Sequence, residues 1–110
     1  MNMQQVYITI KSAGTIKRIE TEQILYIIAN GGFLTFHLHC SEPFLCSKSM
    51  GAIEKSLPKN FVRIYRNCIV NVNKTSEVNI RQRTIMLVNG TELKVSFRNM
   101  RAFTDSLVSK

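Results

Sequence analysis

Asparagine, in two cases together with arginine, occurs in three short segments of the sequence, each beside residues that form turns or strand breaks. The segments span residues 30–33, 63–67 and 96–101. Arginine can donate two hydrogen bonds to guanine O6 and N7, and asparagine can pair with adenine N6 and N7. Lysine, which offers only a point charge, is scarce in these segments. Their composition favours the reading of bases over contact with the phosphate backbone alone. The alternative for each arginine is an intramolecular ion pair or a side chain that faces solvent.

The distribution of charge supports an anionic partner. The chain has 15 Lys and Arg against 7 Asp and Glu, a formal net charge of +8. Residues 1–57 contain five basic and four acidic side chains, whereas residues 58–110 contain ten basic and three acidic ones. Phosphate binding requires a local excess of this kind, because each neutralised phosphate releases condensed counterions. Solubility alone would not require the asymmetry.

Catalytic and metal-binding patterns find little support. No Gly-rich phosphate loop, nucleophile elbow or suggestive carboxylate pair is present. His37 and His39 would share one face of a strand near Cys40 and Cys46, but their spacing matches no closed zinc site. With Cys68 the cysteines number three, which argues against a disulfide framework. We therefore expect reduced thiols, no metal, no cofactor and no enzymatic activity.

The elements that position the three segments follow mostly a period of two, which is typical of strands. We predict nine strands and one brief extended piece near residues 6–11, 15–19, 24–29, 33–39, 44–46, 61–65, 69–72, 78–81, 84–88 and 92–95. The run 24–29 is apolar on both faces, so it should be a central strand covered on two sides. Residues Arg66 and Asn67 fall in a break between strands, which frees both side chains to point outward. Asn89-Gly90 predicts a hairpin.

Two short helices complete the prediction. One spans about residues 48–56, with Ser47 as the N-cap and Pro58 ending it. The other spans about residues 99–108, with an apolar stripe of Met100, Phe103 and Leu107. With no linker, repeat or βαβ alternation, the chain is expected to be a single, mainly β, antiparallel domain over residues 1–110. It shows no secretory signal and no apolar run long enough for a membrane helix, so the cytoplasm is the expected location.

The segment around the second cluster resembles a family signature. Residues 57–71 read L-P-K-N-F-V-R-I-Y-R-N-C-I-V-N and are similar to the L-P-x-x-F-x-R-x-H-R-S-x-I-V-N pattern of LytTR domains. The run from Ile24 to Phe33 and the closing Val95-Ser96-Phe97-Arg98 also resemble that family. The likeness covers about residues 6–108 and departs at Tyr65 and Asn67, where histidine and serine are usual.

The resemblance implies an elongated arrangement of three small antiparallel sheets with nine or ten strands. It also implies that loops enter successive major grooves of double-stranded DNA, that direct repeats are bound, and that the domain is dimeric on DNA. The domain would be the output end of a bacterial two-component response regulator and would follow a receiver domain. The predicted base-reading residues are Gly32, Phe33, Arg66, Asn67 and Arg98. The predicted phosphate contacts are Lys48, Arg63, Lys74, Asn99 and Arg101.

Two other functions stay open from the residues alone. A binder of single-stranded nucleic acid or RNA would need exposed aromatic side chains among the cations. Tyr65 and Phe97 flank arginines, but four phenylalanines are better interpreted as core: Phe33, Phe36, Phe61 and Phe103. A protein-interaction module that uses a free sheet edge is the other alternative.

Overall fold

The computed structural model describes residues 6–108, which form ten strands, two α-helices and two short 3₁₀ turns. The strands are β1 (Tyr7–Ser12), β2 (Thr15–Glu20), β3 (Ile24–Asn30), β4 (Phe33–Leu38), β5 (Phe44–Cys46), β6 (Phe61–Tyr65), β7 (Cys68–Asn71), β8 (Thr75–Asn79), β9 (Thr84–Leu87) and β10 (Glu92–Lys94). The helices are α1 (Met50–Ser56) and α2 (Phe97–Val108), and the 3₁₀ turns are Thr21–Gln23 and Val72–Lys74.

The strands form three antiparallel sheets, which confirms the mainly β prediction. A five-stranded sheet has the order β5-β4-β3-β7-β6, a three-stranded sheet has the order β10-β9-β8, and β1 pairs with β2. The extents along the principal axes are 44, 42 and 24 Å. No helix within residues 6–108 is both long enough and apolar enough to cross a membrane.

Strand β3 is the centre of the large sheet and is buried on both faces, as its two-sided apolar pattern predicted. Ile27 on one face packs in a core with β1 and α1, where Ile53 of α1 is buried. Leu25 on the other face packs in a second core with β9 and α2, where Phe103 is fully buried. Leu25 and Ile27 are two residues apart yet lie in different cores, because the pairing of β3 with β4 is irregular between Ile24 and Tyr26. One strand thus contributes to two hydrophobic cores. Met100 and Leu107 pack against the second core, which confirms the stripe predicted for α2.

Several predicted boundaries were wrong, and local side-chain hydrogen bonds explain the differences. Helix α1 is capped by Ser49 instead of Ser47, because the Ser49 hydroxyl accepts a 3.1 Å hydrogen bond from the amide of Ala52. Strand β8 ends at Asn79 instead of continuing to residue 81, since the Asn79 side chain accepts from the amide of Gln82 at 2.9 Å and starts a turn.

A buried asparagine redirects the chain after β7. The side chain of Asn71 is fully buried and accepts a hydrogen bond from the amide of Asn73 at 3.0 Å, which turns the chain into the 3₁₀ segment that the sequence analysis missed. The same side chain donates to the carbonyl oxygen of Ile24 at 3.0 Å and accepts from Asn60 at 2.7 Å. Asn71 therefore joins the end of β7 to the start of β3, with its polar atoms satisfied.

Candidate nucleic-acid interface

The turn between β6 and β7 presents Arg66 and Asn67, both exposed, on a backbone that is held from two sides. The guanidinium of Arg63 donates to the carbonyl oxygen of Arg66 at 2.8 Å. The amide of Ala29 in β3 donates to the carbonyl oxygen of Asn67 at 2.8 Å. The main chain of the turn is thus fixed while its polar side chains stay free for a ligand.

A β-bulge links this turn to the third predicted segment. The register between β6 and β7 shifts after Arg63, so Ile64 is an extra residue between two paired positions. The carbonyl oxygen of Ile64 accepts a 2.9 Å hydrogen bond from the amide of Ser96, which precedes α2. The second and third segments are therefore held to each other through the main chain.

Ser96 also starts α2. Its hydroxyl lies 3.3 Å from the amide of Asn99 and accepts a hydrogen bond from it, as an N-cap does. Helix α2 begins at Phe97 instead of residue 99, which places Arg98 in its first turn with an exposed side chain. Arg101 follows three residues later, so it lies on the same side of the helix as Arg98. The positive end of the helix dipole and two guanidinium groups thus occur together.

Arg66 and Arg98 face the same side of the molecule. Both line one open concavity, whose other lining residues are Glu54, Arg63, Tyr65, Ser96 and Asn99. Within residues 6–108, neither arginine forms a salt bridge, because the single ion pair there joins Arg63 to Glu54 at 2.7 Å. The two predicted base-reading arginines are therefore adjacent and available.

Arg63, a predicted phosphate contact, is engaged inside the protein. Its side chain is 30% exposed, and its two terminal nitrogens bind Glu54 and the carbonyl oxygen of Arg66. Its remaining nitrogen, Nε, is buried without a hydrogen-bond partner. This geometry favours a role in positioning the β6–β7 turn.

The first predicted segment forms the tight hairpin between β3 and β4. Gly31 and Gly32 have φ values of +59° and +87°, a left-handed conformation that favours glycine in two-residue hairpins. Gly32 and Phe33 line a second concavity together with Lys48 and the serines on either side of it. Phe33 is 49% exposed, so its interpretation as core was wrong, whereas Phe36, Phe61 and Phe103 are buried as expected.

Lys74 is not brought to either concavity. Its carbonyl oxygen accepts from the amide of Val88 at 2.9 Å, beside the Asn89-Gly90 hairpin. Strand β8 separates Lys74 from the turn over residues 80–83, a distance of roughly 16 Å for five residues. Among the predicted phosphate contacts, Lys74 is the one that lies at the far end of the three-stranded sheet.

One residue of this surface, Arg83, is absent from the sequence predictions, and Phe97 appears there only as an aromatic that flanks an arginine. The guanidinium carbon of Arg83 lies 5.7 Å from the centre of the Phe97 ring, and Phe97 is 80% exposed. Arg83 belongs to the β8–β9 turn, where Arg81 and Arg83 flank a glutamine, a cationic turn that could have been noticed. Phe97 falls three residues before Met100 and so continues the apolar stripe of α2, a spacing that predicts burial. Its place next to Arg98 was the local signal that favoured exposure.

The reactive side chains elsewhere are buried or isolated. Burial raises the pKa of the Cys68 thiol to about 12, so this thiol stays protonated at neutral pH. Burial also lowers the pKa of His37, whose ring stacks on Tyr26 with centroids 4.3 Å apart. In the part of the chain that the structure describes, no three His, Cys, Asp or Glu side chains are grouped to hold a metal ion.

The fold agrees with comparisons against known proteins. The family model of the LytTr DNA-binding domain matches residues 14–107. The fold is also similar to a solved LytTr DNA-binding domain from Bacillus cereus, described as part of a methyl-accepting/DNA response regulator. That alignment has 21% sequence identity and a TM-score of 0.76, and covers 97% of this chain and 100% of the other. At this identity the likeness establishes the fold alone. No curated protein sequence matches the chain. Because the family model spans most of its residues, the chain belongs to the LytTR family of DNA-binding domains.

Proposed function

We propose that this domain binds double-stranded DNA sequence-specifically, as the output domain of a bacterial transcription regulator in the cytoplasm. The observation that carries the proposal is the concavity that Arg66 and Arg98 share. The two segments that contain these arginines are joined by the hydrogen bond between Ser96 and Ile64. Exposed arginines on a fixed backbone can reach base edges without first ordering a loop, which lowers the entropic cost of binding. No catalytic step and no cofactor belong to this function.

The three segments have distinct roles in the proposal. Arg66, Asn67 and Arg98 read base edges in the major groove, and the hairpin at Gly32 and Phe33 enters a neighbouring groove. Around them, the phosphate contacts are Lys48, Asn99, Arg101 and, at the outer end of the site, Lys74. Two successive major grooves on one side of a duplex lie about 34 Å apart, so a duplex that contacts the domain through both is long enough to reach beyond β8. Arg63 acts indirectly, by holding the β6–β7 turn.

The surroundings of the domain follow from its family. We infer that it recognises direct repeats, with two copies on one DNA site, and that a receiver domain controls its access to DNA. The likeness to a domain of a response regulator supports this context. The net charge of +8 supports fast association with DNA and a steep dependence on salt.

The proposal is tested by selecting bound duplexes from a random pool at about 150 mM salt, where weak non-specific binding is largely screened. We expect enrichment of one short motif repeated in the same orientation. Measured affinities for this motif should exceed those for random duplexes by at least about a thousandfold. A pool that shows no enrichment over successive rounds would contradict the proposal.

One specific observation favours a second candidate, the binding of single-stranded nucleic acid. Phe33, Tyr65 and Phe97 are 49%, 39% and 80% exposed beside cations, and exposed aromatics of this kind can stack on unpaired bases. Competition between the selected duplex and each of its separate strands discriminates the two functions. Our proposal expects the duplex to compete far better than either strand.

A further inference from the structure

Phe97 has the greatest exposed fraction, 80%, of the large hydrophobic side chains in residues 6–108. It lies between cations, because Arg98 follows it in the first turn of α2 and the Arg83 guanidinium lies over its ring. Burial of a phenyl ring is favourable, and Phe103 in the same helix is fully buried, so α2 can cover apolar groups. Its exposure in the middle of a cationic surface points to a ligand that is apolar locally and anionic around it.

The Arg83 guanidinium fixes how the Phe97 ring can be used. Arg83 has a φ of +55°, and its carbonyl oxygen accepts a 2.8 Å hydrogen bond from the amide of Val95. The β8–β9 turn is therefore tied to the residue that follows β10, and the Arg83 guanidinium carbon lies over one face of the ring, 5.7 Å from its centre. A ring with one face covered cannot be sandwiched between two bases, so insertion as a wedge between base pairs is disfavoured. The edge and the opposite face stay open for contact.

The group in DNA that fits these surroundings is the C5 methyl of thymine. It is the apolar feature of the major groove, and phenylalanine is one of the side chains that contact it. Phe97 and Arg98 are consecutive in the first helical turn, where side chains diverge by about 100°, so the ring would contact a base pair next to the one that Arg98 reads. We propose that Phe97 is a specificity-determining residue that packs on the methyl group of a thymine beside the base read by Arg98. This inference rests on the proposed function.

The test uses the selected duplex and a series in which each thymine is replaced in turn by deoxyuridine, which removes only the C5 methyl. For the unmodified protein we expect one replacement to weaken binding about fourfold, the equivalent of about 0.8 kcal/mol for one buried methyl-sized group. In Phe97→Ala that replacement should make no difference, because the contact is already lost. Phe97→Leu should retain part of the sensitivity. Ile16→Ala, which removes an apolar side chain that is 67% exposed in β2 and outside the three segments, is the control and should leave the fourfold effect intact.

The outcomes separate this inference from the proposed function. If the unmodified protein selects no duplex, the proposed function fails. If it selects a duplex but the deoxyuridine penalty persists unchanged in Phe97→Ala, the thymine contact is overturned while the proposed function stands. An increase in fluorescence of 2-aminopurine placed beside the site, lost in Phe97→Ala, would also overturn the inference, because it would show that the ring unstacks bases. Equal melting temperatures of the variants establish that folding is unaffected.

Discussion

The amide of Ser96 donates a 2.9 Å hydrogen bond to the carbonyl oxygen of Ile64. Ile64 is the extra residue of the β6–β7 bulge, and Ser96 is the residue before α2. One main-chain bond thus joins two segments 32 positions apart in sequence and sets the relative placement of Arg66 and Arg98. The proposed reading of bases by both arginines depends on this placement.

Loss of a base-reading arginine should weaken binding and relax specificity. For Arg66→Ala or Arg98→Ala we expect a loss of about 1–3 kcal/mol on the selected duplex and a much smaller loss on random DNA. The measurement is a titration of both duplexes by fluorescence anisotropy. The control is Arg18→Ala, since the Arg18 guanidinium lies on the Tyr7 ring in the β1–β2 hairpin and outside the three segments. Equal losses on both duplexes for both variants would contradict a base-reading role.

Arg63 should act by positioning, and the salt dependence of binding can show this. A phosphate contact contributes about 0.9 to the slope of log affinity against log salt, and its removal lowers the slope by that amount. We expect Arg63→Ala to weaken binding to the selected duplex with no change in slope, because the guanidinium group of Arg63 is already bound to Glu54 and to the Arg66 carbonyl. Arg101→Ala, by contrast, should lower the slope by about one.

The partner of Arg63 provides the complementary variant. Glu54→Gln should also reduce affinity for the selected duplex, although it removes a negative charge from the concavity that Arg66 and Arg98 line and simple electrostatics would predict tighter binding. Tighter binding by this variant, together with a lower slope for Arg63→Ala, would show that Arg63 is a phosphate contact after all.

Lys74 should contribute sequence-independent affinity. Its alanine variant is expected to weaken the selected and the random duplex alike, because an ammonium group on phosphate carries no sequence information. A truncated duplex that ends before the outer phosphates should bind the variant and the unmodified protein equally. Binding of a full-length duplex that is indifferent to Lys74 would place this lysine outside the interface.

Asn71 should be a stability determinant outside the three segments. Replacement by alanine removes its hydrogen bonds to the Ile24 carbonyl, the Asn60 amide group and the Asn73 amide, and we expect a loss of about 1–3 kcal/mol in the free energy of unfolding. Urea denaturation measures this loss. Asn73→Ala, at an exposed position next to it, should cost much less.

The buried thiol predicts a dependence of stability on alkaline pH. The folded state raises the pKa of Cys68 to about 12 from an ordinary 9.0, so the unfolded state releases the proton first. Stability is therefore fully present below about pH 9 and is lost as the pH rises from 9 towards 12. The loss should be smaller in Cys68→Ala when both are measured relative to neutral pH. Alkylation of the native protein at pH 8 should modify the exposed Cys40 and spare Cys68.

Local patterns were sufficient to predict most strands and the turns at Gly31-Gly32 and Arg66-Asn67, because alternation and glycine or asparagine turns are encoded within a few residues. The central position of β3 followed from its two apolar faces, and the break at Arg66 and Asn67 from two polar residues between strands. The cap at Ser49 and the turn at Asn71 depended on which of several polar side chains bonds the backbone, and spacing does not decide this.

The features that assemble the site could not be predicted because they join distant parts of the chain. The Ile64–Ser96 bond requires the bulge, and the engagement of Arg63 requires α1 to bring Glu54 within reach. The exposure of Phe97 depends on where α2 leaves the core, and its place beside an arginine did not by itself decide between exposure and burial. Its neighbour Arg83 becomes relevant only through the fold.

Interference by methylation at guanine N7 tests the central claim most directly, because N7 lies in the major groove where arginine binds. On the selected duplex we predict two groups of interfering guanines about 10 base pairs apart. One group lies in the major groove that Arg66 and Arg98 enter, and the other lies in the neighbouring major groove that the β3–β4 hairpin enters. Arg66→Ala and Arg98→Ala should each abolish interference at different guanines. A lack of interference at guanine N7, or interference that is identical in both variants and the unmodified protein, would contradict the reading of bases by Arg66 and Arg98.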